Sequence, residues 1–60
     1  MCLATVYKQD DTTVICKNVS RIDVNGDELT IYDIIGEETV VKGSIISVDL
    51  ANSIVKLNCE

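Results

Sequence analysis

Sixty residues carry a formal charge of −5, with ten Asp and Glu against five Lys and Arg and no His. That balance argues against the basic stripe with which nucleic-acid binders displace counterions from phosphates, and equally against an attraction to anionic membrane surfaces. Without His the usual proton carrier near neutral pH is missing, and no Gly-rich phosphate loop, Ser-centred elbow or HExxH occurs, so an enzyme is not expected.

The chain is expected to form one domain over residues 1–60. At this length only about 60% of the unfolded surface is buried, so a disulfide, a metal or a second copy is the usual source of extra stability. The start, MCLATV, lacks the basic region and continuous apolar core of a secretion signal. No apolar run approaches the roughly 18 residues of a membrane helix. The expected compartment is the reducing cytoplasm, where Cys2, Cys16 and Cys59 stay unpaired.

Richness in Val, Ile and Thr, absence of Pro and regularly spaced turn signals predict an all-β fold, a small barrel of about six to seven short antiparallel strands. In chain order the first strand is Cys2–Lys8, closed by the polar turn 9–11. Thr12–Lys17 follows, then a break at Asn18. Val19–Val24 and Glu28–Ile34 flank VNGDE, where Asn25-Gly26 is the strongest hairpin signal and predicts a type I′ turn. Gly36 marks the next turn. Thr39–Lys42 leads to Gly43, expected to allow a bulge or sharp corner. Ser44–Leu50 and Ser53–Cys59 form the last hairpin around ANS.

Alternation places Val55, Leu57 and Cys59 on one face, opposite Lys56 and Asn58. It groups Ile46, Val48 and Leu50 against Ser47 and Asp49, and Cys2, Ala4 and Val6 against Leu3, Thr5 and Tyr7. Elsewhere both faces are apolar, as at Val14–Cys16, Ile34–Ile35 and Val40–Val41. With 47% hydrophobic residues, more apolar surface is present than so small a monomer can hide, which predicts a homodimer.

Among residues able to carry chemistry, Asp23, Asn25, Asp27 and Glu28 crowd the VNGDE turn. They lack the twelve-residue ligand spacing of a calcium loop and read as a solvated hairpin tip. Glu37 and Glu38 read as solvated too. Cys16 and Cys59 behave as small core hydrophobes; no CxxC spacing and no His support zinc. Cys2 differs because it lies beside the chain terminus. An α-amine with pKa about 8 and a thiol with pKa about 8.5 both deprotonate within reach of neutral pH. With Met1 removed, the amine and thiolate of Cys2 close one five-membered chelate ring. With Met1 retained, its amine, the Cys2 amide nitrogen and the Cys2 thiolate form two fused rings. Either set is planar and rich in N and S, which suits Ni(II) or Cu(II).

MCLATV resembles the M-C-x-A-x-V opening of the CooT family, small accessory proteins of nickel carbon monoxide dehydrogenase maturation. Asn25-Gly26 stands where such proteins turn a Gly-rich hairpin. The stretch IYDIIGEETVVKGSIISVDLANSIVKL is similar to the family's second half through Glu37-Glu38, Gly43 and the Ile-x-x-Val-Asp-Leu run from Ile45 to Leu50. The resemblance implies a dimeric β-barrel that holds Ni(II) through Cys2, with the Met1 amine as a further ligand where Met1 is retained. One metal shared by two Cys2 residues would require their N-termini to meet near the two-fold axis. The implied client is a nickel enzyme such as carbon monoxide dehydrogenase. Two other readings remain open, a metal-free interaction module that docks through an exposed apolar patch and an RNA-binding small barrel, the latter opposed by the charge.

Overall fold

Runs of β-branched residues set the strands, and two backbone irregularities decide how many there are. The computed structural model describes residues 3–10 and 12–59. The strands are β1 (Ala4–Lys8), β2 (Val14–Asn25), β3 (Glu28–Asp33), β4 (Glu38–Asp49) and β5 (Ile54–Cys59). Sequential neighbours pair antiparallel, and β1 lies parallel to β5, which closes the ring into a barrel. Among the described residues no helix is long and apolar enough to cross a membrane.

The all-β barrel is as expected, but with five strands rather than six to seven. The break expected at Asn18 is a bend inside one twelve-residue strand. Asn18 takes a left-handed backbone (φ 55°), which Asn tolerates better than most residues, and the pairing of β2 with β1 shifts register between Ala4 and Val6. A further shift, between Val19 and Arg21, follows as β2 passes from β1 to β3. The bend therefore lets a single strand serve two neighbours.

Gly43 does the same for β4, which runs unbroken from Glu38 to Asp49. Its φ of 154° is one that residues with a side chain rarely adopt. A Cβ there would run into the carbonyl oxygen of Asn58 and sit 2.9 Å from the Cα of Cys59. The corner expected at Gly43 is thus a close crossing of β4 over the end of β5.

The hairpin between β2 and β3 is displaced by one residue from the expected turn. Asn25 stays in β2, paired with Glu28, so Gly26 and Asp27 form the two-residue loop. Of these only Gly26 has positive φ (63°). A Gly at the first loop position with the second residue at negative φ is the type II′ pattern, not I′.

Buried side chains come from β1 (Val6), β2 (Val19), β3 (Leu29, Ile31) and β5 (Val55, Leu57, Cys59). Burying each of the aliphatic ones contributes about 1.5–3 kcal/mol. β4 supplies no fully buried residue; its Val41 packs against the core from a half-buried position.

The registers place the start of β1 beside the start of β5 and beside Val19, which in turn pairs with Asp33. The first described residues are accordingly flanked by the start of β5 on one side and, across Val19, by the end of β3 at Asp33 on the other. Gly26, Asp27, Gly43 and Cys59 gather around a separate open cleft of about 550 Å³.

Candidate functional site

Met1 and Cys2, the expected metal ligands, lie outside the described residues. The chain that follows them is held from both sides. The Thr5 amide donates to the Ser53 carbonyl at 2.9 Å, Thr5 pairs with Ile54, and Ala4 pairs with Val19. Leu3 and Ala4 are half-buried. The barrel thus fixes the polypeptide within three residues of Cys2.

Beside this anchor lies a shallow, largely apolar cleft of about 260 Å³, lined by Ala4, Val19, Ile22, Ile45, Val48 and Val55 among others. Its shape follows from the β4–β5 register. Ile45 stands opposite Leu57 and Val48 opposite Val55, with the register shift between Ile45 and Ser47. Directly opposed residues share a face, so Ile45 and Val48 point the same way as the core. The expected grouping of Ile46 with Val48 fails here, because Ile46 is the extra residue of the bulge. Ile45 (38% exposed) and Val48 (54%) line the mouth of the barrel without being covered.

Three turns at the strand ends are tied by carboxylates. Asp33 accepts the amides of Ile35 (3.0 Å) and Glu37 (2.9 Å) through Oδ1, and its carbonyl accepts the Gly36 amide at 3.0 Å. Asp49 accepts both the amide and the side-chain Nδ2 of Asn52, and these bonds lower its pKa. Asp10 accepts the Thr13 hydroxyl (2.6 Å) and the amides of Thr13 and Thr12. Those bonds, led by the Thr13 hydroxyl, hold its carboxyl far below the ordinary carboxylate range. Sequence reasoning missed these caps. Their signal was an Asp at the first position of a turn, with Gly at the fourth in Asp33–Gly36.

The remaining candidates fall where a structural role puts them. Cys59 is buried and Cys16 half-buried against the core, both as free thiols. The Asp23 carboxylate binds the Arg21 guanidinium at 2.8 Å, and the same guanidinium stacks 5.5 Å from the Tyr32 ring centre. Loss of water and the nearby Glu38 carboxylate raise the Tyr32 hydroxyl pKa. Glu37 and Glu38 are exposed. Among the described residues no three His, Cys, Asp or Glu side chains converge as a metal site.

No curated protein matches the chain. A solved structure does: a chain assigned as CooT from Carboxydothermus hydrogenoformans superimposes with a TM-score of 0.86, covering 98% of each chain at 21% identity, which shows a shared fold. The family model of the CO dehydrogenase accessory protein CooT matches residues 1–58, the Met1-Cys2 start included. The chain belongs to the CooT family: it is an accessory protein of CO dehydrogenase and not itself a catalyst.

Proposed function

We propose that this protein binds Ni(II) as cargo, through the Cys2 thiolate and the nitrogens beside it, in support of CO dehydrogenase maturation. The observation that carries the reading is the family match that begins at residue 1 and so takes in the Met1-Cys2 pair. The donor chemistry fits: a thiolate with amine and amide nitrogens makes a compact planar set for a divalent ion late in the Irving–Williams series. The backbone bond from Thr5 to Ser53 supports it by giving the ligand-bearing end a rigid base. Where Met1 is retained, its amine completes the set; where it is removed, the Cys2 amine takes that place. Ligand deprotonation makes affinity rise with pH.

A homodimer belongs to the same reading. The uncovered cleft of Ile45, Val48 and Val55 includes Ala4 in its wall. A two-fold contact there would bring two chain starts toward one another and let one ion take donors from both. The cytoplasm is the compartment this role needs.

The test is titration of tag-free protein with Ni(II) at pH 7.5, followed by charge-transfer absorbance, with intact mass to report Met1. Cys2→Ser should abolish the absorbance while leaving the unfolding midpoint unchanged, and an N-terminal tag should weaken binding sharply. Undiminished binding by Cys2→Ser refutes the site.

A further inference from the structure

We propose that the β3–β4 turn, residues 33–38, is the docking point for the client enzyme, an apolar knob that seats in a socket rimmed by Lys and Arg. The inference rests on the accessory role proposed above and adds the surface through which it is exercised.

The first observation is exposure. Turn tips are ordinarily built from Gly, Asn, Asp and Ser, yet this one displays Ile34 (59% exposed) and Ile35 (75% exposed) side by side. The second is rigidity. Ile34 donates to the Asn18 carbonyl (2.9 Å), Ile35 and Glu37 donate to the Asp33 carboxylate, Gly36 donates to the Asp33 carbonyl, and the Asp33 amide donates to the Glu37 carbonyl (3.1 Å). Every backbone amide from 33 to 37 is engaged. A loop already fixed in one shape loses little conformational freedom when it is gripped, so the surface it offers converts efficiently into affinity.

The third observation selects the occupant. The knob is flanked by Asp33, Glu37 and Glu38, and the sequence holds no Lys or Arg between Arg21 and Lys42. Arg21, across the sheet at Tyr32, is tied to Asp23; Lys17, next to Asn18, is the basic neighbour on β2. A second copy itself carries a formal charge of −5 and is the poorer counterpart to Glu37 and Glu38. An anionic bilayer is repelled likewise. Neither cleft described above is lined by a residue of this turn, so the surface it offers suits a folded partner rather than a small ligand. A folded protein with an apolar socket and a cationic rim fits all three observations. Asp33, at the base of the turn, pairs with Val19, which pairs with Ala4, so docking there would bring the proposed cargo site toward the client's surface.

The experiment uses the full chain and the immobilised, metal-free carbon monoxide dehydrogenase of the source organism. Wild type should bind saturably, with affinity falling as NaCl rises. Ile35→Ser should weaken binding about tenfold or more, and Glu37→Lys with Glu38→Lys should weaken it further and flatten the salt dependence. Circular dichroism and Ni(II) titration of each variant should match wild type. Unchanged affinity of Ile35→Ser overturns the proposal, as does wild-type protein that takes up nickel yet does not bind the enzyme. A change from dimer to monomer in sedimentation of Ile35→Ser overturns it too, since the turn would then be a self-contact. Loss of nickel binding in wild type strikes the cargo reading instead, and leaves enzyme docking separately readable.

Discussion

β4 and β5 are hydrogen-bonded neighbours over most of the length of β5, yet they treat apolar side chains in opposite ways. β5 alternates strictly: Val55, Leu57 and Cys59 are buried, with Lys56 and Asn58 turned away. In β4, Ile45, Ile46 and Val48 all remain between 38% and 54% exposed. Both strands are apolar enough to be core. The difference is that β5 is flanked on both sides, by β1 and β4, while the second half of β4 passes the mouth of the barrel with the cleft above it. Burial is conferred by what lies across the barrel, and hydropathy alone does not report it.

Three substitutions break or sharpen this contrast. The largest effect is expected for Leu57→Ala. Leu57 is fully buried, so its truncation should cost about 4 kcal/mol, close to the whole stability of a domain this size; urea unfolding should show a collapsed midpoint or no folded baseline. Next comes Gly43→Ala, which forces β4 away from the Asn58 carbonyl and should cost about 3 kcal/mol by the same assay. That variant separates the two strands without removing any apolar contact. The smallest effect belongs to Ile46→Ser, the bulge residue, at about 1 kcal/mol or less. A loss at Ile46 equal to that at Leu57 would mean that the face is covered in solution, and sedimentation equilibrium of both proteins would identify a second copy as the cover.

The β5 alternation was legible in the sequence because a period of two needs only five residues to declare itself. The merging of strands at Asn18 and Gly43 was not. Asn18 reads locally as a break and Gly43 as a bulge or sharp corner between two strands, and only pairing across the barrel shows that the ladder continues through each. The VNGDE turn was found but shifted by one residue, because both Asn25-Gly26 and Gly26-Asp27 are competent loop pairs and the β2–β3 register chose the second. Closure of β1 on β5 links residues some fifty positions apart, and nothing local encodes it. The proposed site was the reverse case. Cys2 stood out from chemistry and from the family's opening motif, a signal carried by order along the chain and independent of packing.

The parallel pairing of β1 with β5 also has a consequence in time. β1 acquires its second neighbour from a segment synthesised some fifty residues later. Pairings this distant form slowly, and until residues 54–59 emerge, Leu3–Lys8 can be supported from the β2 side alone. The base beneath the proposed cargo site is therefore finished only once β5 has docked on β1, so its rigidity depends on a contact formed late in folding.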